Sequence, residues 1–125
     1  MADLEYTRPS VNALVASLPG SWCPRAHFVP TNIVKWDEIT ALFREARERF
    51  GRIEVVLANA GVMERDSVLD MDNADEQGDL RESQEFSRVI DFNVKGTMNF
   101  LRQALFSMKG NPRDGTDSER LDKPV

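Results

Sequence analysis

The sequence predicts an α/β chain with parallel-strand character, and three observations carry that prediction. Residues 36–50 hold Ile39, Leu42, Phe43, Ala46 and Phe50 at spacings of three and four, which gathers them on one helical face. Ile53, Val55, Val56, Leu57 and Ala58 follow almost without interruption, as expected of a parallel strand covered by helices on both sides. Helix, short turn and buried strand is the rhythm of a βαβ unit.

Residues 1–9 are polar, show no period and are expected to be loose. From Ser10, which reads as an N-cap, Val11, Leu14, Val15 and Leu18 recur at helical spacing until Pro19-Gly20 stops the run. Ala26, His27, Phe28 and Val29 form a short apolar run of strand type that Pro30 ends. The helix over residues 36–50 carries Asp37 and Glu38 in its first turn and Arg47 and Arg49 in its last, matching the helix dipole. Gly51 is placed to end it in a left-handed conformation. Asn59-Ala60-Gly61 closes the strand that follows. A second long helix is expected over residues 86–108, with Ile90, Val94, Met98, Leu101, Leu105 and Met108 as its apolar stripe and the methionines as core filler. Residues 110–125 have hardly any apolar side chains and are expected to be disordered. The organisation is therefore a flexible start over 1–9, one domain over 10–109 and a tail.

A length of 125 residues with 41% hydrophobic content suits one globular domain. The formal net charge of -5, with basic residues scattered or paired with acids, argues against nucleic acid or an anionic membrane as a partner. Apolar runs fall far short of the roughly 20 residues that cross a bilayer, and the amino terminus lacks the basic-then-apolar pattern of a secretion signal, so a cytoplasmic location is expected. Cys23 is the sole cysteine, which rules out an intramolecular disulfide and a cysteine-built zinc site. His27 is the sole histidine, and its place in a short apolar run favours a structural role. Residues 62–85 hold Glu64, Asp66, Asp70, Asp72, Asp75, Glu76, Asp79, Glu82 and Glu85 against Arg65 and Arg81 alone, the composition of a solvated acidic loop. Residues 70–75 have the outline of a calcium loop, but Ala74 stands where an oxygen ligand is needed and Arg81 where the closing Glu belongs, so no metal site is expected.

The order of the motifs says more than any one of them. Phe50-Gly51-Arg52-Ile53 ends a helix rich in Arg and Glu, a buried strand follows, and Asn59-Ala60-Gly61 closes it. One loop later Asp91-Phe92-Asn93-Val94-Lys95-Gly96-Thr97 stands on a helix. In this order, and on these elements, the chain resembles the short-chain dehydrogenase/reductase family over roughly residues 10–110. The resemblance implies a partial Rossmann-like fold, a doubly wound parallel sheet fragment with long helices, and NADP- or NAD-dependent hydride transfer to or from a small-molecule carbonyl or alcohol substrate. By likeness, Asn93 is the catalytic-tetrad asparagine that positions a water in a proton relay, and Asn32, Ile33, Asn59, Ala60 and Gly61 line the cofactor crevice. Asn32-Ile33 stands where the family carries Asp-Val or Asp-Ile, which keeps a hydrogen-bonding adenine contact but removes its charge. The residues by themselves also allow plainer roles: Asn59 can cap its strand, Gly61 can simply turn the chain, and Asn93 can lie on a helix surface.

Two parts of the family pattern are missing from these 125 residues. The glycines at 20, 51, 61, 78, 96, 110 and 115 never fall at the spacing of a G-x-x-x-G-x-G phosphate loop, and the sole tyrosine, Tyr6, has Ser10 four residues on where the family's proton donor has Lys. The chain alone is therefore expected to lack turnover. The strands matching Phe28-Val29 and Val55-Leu57 also lack their family neighbours, so exposed strand edges and a marginal fold are expected, and a homo-oligomer is a possible state. The alternative reading is a non-catalytic remnant that acts, if at all, through protein–protein association at those edges.

Overall fold

A computed structural model of the chain describes residues 1–20 and 25–111; Cys23 and most of the expected tail lie outside the described residues. Of residues 1–9, expected to be loose, the first three are held by backbone pairing and residues 5–9 are helical. Strand β1 (Ala2–Asp3) runs parallel to β2 (Val29–Pro30), with Ala2 opposite Val29 and Asp3 opposite Pro30. The Val29 and Thr31 amides donate to the Met1 and Asp3 carbonyls at 3.0 and 2.7 Å. The expected strand over residues 26–29 is thus shorter and shifted towards Pro30, a residue tolerated at a sheet edge because it has no N–H to leave unpaired.

One turn of 3-10 helix (Glu5–Thr7) leads into α1 (Arg8–Ser17), which begins two residues before Ser10. The reason is Pro9, whose fixed φ suits the first helical turn and whose missing N–H costs nothing there. Helix α2 (Trp36–Phe50) matches its periodicity: Ile39, Leu42 and Phe43 are buried, and Gly51 ends it at φ 79°. Ile39 and Phe43 form the core with Ala104, joined by half-buried Ile53, Val56 and Phe100. The Phe43 and Phe100 rings meet at 5.2 Å between centroids and 56° between planes, a tilted aromatic contact.

The run over residues 53–58 departs from expectation. It passes without helix, turn or bend, yet enters no sheet, and Val55 and Leu57 are 77% and 82% exposed. The cause is the lack of a neighbouring strand among the described residues: of this run Ile53 and Val56 reach the core, and the Ile53 carbonyl takes a 2.6 Å hydrogen bond from the Asn111 side chain.

The second long helix is three pieces: α3 (Gln84–Ile90), a π-helical turn over Asp91–Gly96, and α4 (Thr97–Lys109). Ser83 caps α3, its Oγ accepting from the Phe86 amide at 3.1 Å. The predicted stripe is not the packed face. Val94, Met98 and Leu105 are exposed, whereas Gln103, Ala104 and Ser107 are buried. Small side chains on α4 let its backbone approach α2, which supplies the bulk through Ile39 and Phe43.

That packing buries the Ser107 Oγ with no hydrogen-bond partner among the described residues. An unpaired hydroxyl in an apolar contact is a net cost. Ser107→Ala is expected to raise stability by about 1 kcal/mol in chemical denaturation; a loss of stability on this change would contradict the packing described.

Candidate functional site

The two motifs that lie one loop apart in sequence are joined directly in space. The Asn93 side chain makes a bidentate contact with Val62, its Oδ1 accepting from the Val62 amide and its Nδ2 donating to the Val62 carbonyl, each at 2.8 Å. The amide thus pairs with the corner after Asn59-Ala60-Gly61 as a strand neighbour would. The π-helical turn explains how Asn93 comes to face it: widening the helix over Asp91–Gly96 re-aims the side chains that an α-helical turn would set elsewhere. Two glycines make room. A Cβ at Gly61 would lie 3.3 Å from the Asn93 Oδ1, and one at Gly96 would meet the Ile33 Cγ1 at 2.8 Å.

A second tie fixes the same corner. The Arg88 guanidinium donates to Glu85 through Nε at 2.9 Å and Nη2 at 2.5 Å, and Nη2 also donates to the Met63 carbonyl at 2.6 Å. Glu85 in turn accepts from the Arg65 amide at 2.5 Å. The Glu85 side chain is only 14% exposed. The hydrogen bond from Arg88, followed by that from the Arg65 amide, holds its carboxyl down to about 2. Because this pKa is depressed, the tie is at full strength above the ordinary carboxylate value and is lost as pH falls from about 4.5 towards 2. A carboxyl carbon titration by NMR should place the Glu85 midpoint near 2 and free the Arg65 amide in the same range; a midpoint near 4.5 would contradict the tie.

The corner opens on a cleft of about 500 Å³. Asn59, Ala60 and Gly61 line one rim, and Asp3 and Thr31 lie on the cleft wall contributed by the β1 side. Ile33, Leu42, Phe43, Ala46 and Phe100 make its apolar body. Of the residues singled out from sequence, Ile33 and the Asn59-Ala60-Gly61 corner line the cleft, and Asn93 braces it. Asn32 does not line it: its Oδ1 accepts from the Val34 amide at 3.1 Å and its own amide donates to Glu38 at 2.7 Å, which starts α2. Sequence reasoning missed Asp3, Thr31, Glu85 and Arg88. The signal for the last two was present as a Glu-Arg pair three apart just after the Ser83 cap, whereas Asp3 sat in a stretch with no period. His27 pairs with Glu45 at 2.5 Å, away from the corner. Among the described residues no group of His, Cys, Asp and Glu is arranged to hold a metal ion, and no helix is long and apolar enough to cross a membrane.

The comparisons with known proteins agree with this geometry. A family model described as short chain dehydrogenase matches residues 2–116. Farnesol dehydrogenase of Aedes aegypti is 34% identical over 105 residues, which cover 84% of this chain and 39% of that protein. Short-chain dehydrogenase/reductase prx4 of Penicillium roqueforti is 35% identical over 89 residues, 71% of this chain and 25% of the relative. The crystal structure of the KRED1-Pglu enzyme superposes with a TM-score of 0.60 at 26% identity, covering 86% of this chain and 39% of the other. The chain therefore spans well under half the length of these relatives. The parallel two-stranded sheet with its long helices is a partial Rossmann-like α/β arrangement. With the family model covering nearly the whole sequence, the chain belongs to the short-chain dehydrogenase family.

Proposed function

We propose that the chain forms one wall of the NAD- or NADP-binding crevice of an oxidoreductase that moves hydride between the nicotinamide cofactor and a small carbonyl or alcohol substrate. The observation that carries this reading is the corner at residues 59–61, held by Asn93 at the mouth of the cleft. In α/β sheets ligands bind at the carboxyl ends of strands, and the corner follows the extended run over residues 53–58 in the same sense. Its residues fit a dinucleotide. Ala60 and Gly61 keep side chains out of the way of a ring and ribose, and Asn59 and Asp3 are the polar residues placed around the opening. The cofactor, when bound, supplies or accepts the hydride. Asn93 acts as a positioning residue in this arrangement, since both polar atoms of its side chain are given to Val62. The relay role implied by family likeness is part of the proposal for a complete enzyme.

Lacking a phosphate loop and a Tyr-x-x-x-Lys pair, the 125 residues alone have no turnover. Reduction of a carbonyl substrate by the purified chain, at a rate abolished by Asn93→Ala, would contradict this. The location proposed is the cytoplasm.

Asp3 refines the cofactor. It ends β1 beside the cleft, with one carboxylate oxygen accepting from the Leu4 amide at 2.7 Å, and an acidic group at such a strand end suits the two ribose hydroxyls of NAD and repels the 2′-phosphate of NADP. Equilibrium titration should show NADH binding at least about tenfold tighter than NADPH, with Asp3→Asn closing the gap. Equal affinities in the parent chain would remove Asp3 from this role.

The exposed stripe of Val94, Met98, Leu101 and Leu105 on the second long helix supports a homo-oligomer as part of the same proposal.

A further inference from the structure

Family likeness gives the adenine contact to Asn32, and the fold withdraws it. The Asn32 Oδ1 accepts from the Val34 amide at 3.1 Å, and the residue does not line the cleft, so the edge of a base finds no partner there. Tyr6, the sole tyrosine, lines the cleft with Asp3 and Leu4 and is 79% exposed. The other aromatic residues of the lining are engaged elsewhere: Phe43 is buried against Phe100, and Phe92 is half-buried. Tyr6 is thus the cleft ring whose faces are open to a ligand. It stands on a fixed turn. The Leu4 amide donates to the Asp3 carboxylate at 2.7 Å, and the Leu4 carbonyl accepts from the Thr7 amide and hydroxyl at 3.0 and 2.7 Å. Arg8 pairs with Glu5 at 2.6 and 2.9 Å and sets its guanidinium 5.0 Å from the centre of the buried Phe28 ring.

We propose that Tyr6 is the stacking platform for the purine of the dinucleotide, so that the base is held by its face and not read at its edge. This rests on the cofactor reading above, in which Asp3 takes the ribose hydroxyls. The purine is bonded to that same sugar, and Tyr6 follows Asp3 by one turn of chain. Because that turn is already hydrogen-bonded, a ligand has little backbone freedom to remove on binding. A phenol ring suits the rim, since its faces are apolar while its hydroxyl stays in water. Stacking needs only a flat π-face, which every purine presents, whereas an edge contact at Asn32 would tell one purine from another. The chain is therefore tolerant of changes at the purine edge.

The test is an NMR titration of the full 125-residue chain with NADH and with its analogue carrying hypoxanthine in place of adenine. The two should bind within about threefold of one another. The ring protons of the purine should move upfield on binding, under the ring current of Tyr6, and show cross-relaxation to the Tyr6 ring. Tyr6→Ala should abolish the upfield shift and weaken both dinucleotides by about tenfold. Tyr6→Phe should restore both properties, because the face is used and the hydroxyl is not. The side chain is at the surface, so neither change should disturb folding. Unchanged NADH affinity in Tyr6→Ala, or no upfield shift while residues 58–62 still respond to NADH, would overturn the role of Tyr6 and leave the crevice standing. A hypoxanthine analogue weaker than NADH by more than threefold would show that the edge is read. If residues 58–62 do not respond to NADH at all, the crevice reading fails and the role of Tyr6 fails with it.

Discussion

Ile39→Ala should lower the melting temperature of the chain by about 12 °C or more and leave it partly unfolded at 37 °C. Among the described residues Ile39 is the one large side chain that is completely buried, and it sits in the α2–α4 contact with Phe43, Ala104 and Phe100. Truncating such a residue removes apolar burial and leaves a cavity, a loss of about 3 kcal/mol. In a chain of this size each kcal/mol is worth several degrees. The core has few members, so the loss is a large share of the total. The effect also reaches the cleft, because Leu42, Phe43 and Ala46 on the same helix form its wall. Leu14→Ala is the control: at 50% exposure on α1 it should change stability little. Thermal unfolding followed by circular dichroism reads both, and similar effects of the two changes would show the α2–α4 contact not to be the core.

Asn93→Ala should release the corner at residues 59–62. It removes two hydrogen bonds that no neighbour replaces, together worth about 1–2 kcal/mol, so amide exchange at Val62 should accelerate about tenfold. Asn93→Asp is the sharper change. A carboxylate still accepts from the Val62 amide but faces the Val62 carbonyl with like charge, so only half of the pairing survives. Global stability should move less than for Ile39→Ala, since the Asn93 side chain is at the surface. Unchanged exchange at Val62 in both variants would mean that the corner is held without Asn93.

Much of this architecture could be read from residue order, and the exceptions share a cause. Helix α2 was plain because apolar period, terminal charges and Gly51 all agree. The corner and Asn93 were found through motif order, but their pairing through Val62 was not, since a bond across 31 residues leaves no local pattern. Hydrophobic runs report that a face is apolar and not what lies against it. Residues 53–58 read as a buried strand because Val55 and Leu57 are apolar, yet among the described residues no strand is there to cover them. The stripe on α4 failed in the same way: its bulky side chains face outward, and the small residues Ala104 and Ser107 make the contact. The start of the chain was misjudged for the opposite reason, because β1 is held by main-chain bonds that its polar side chains do not announce.

The central claim is that residues 58–62, braced by Asn93, form the mouth of a nucleotide crevice shared with Asp3 and Thr31. Nitrogen-15 NMR titration of the intact chain with NADH tests it most directly. Without a phosphate loop the affinity should be weak, with Kd of about 1 mM. The account predicts shifts gathered on Asp3, Thr31, residues 58–62 and the Asn93 side-chain amide, and their loss in Asn93→Ala. Shifts that fall instead on α1 or on residues 66–82 within the acidic loop over 62–85, or the absence of any at several millimolar NADH, would contradict it.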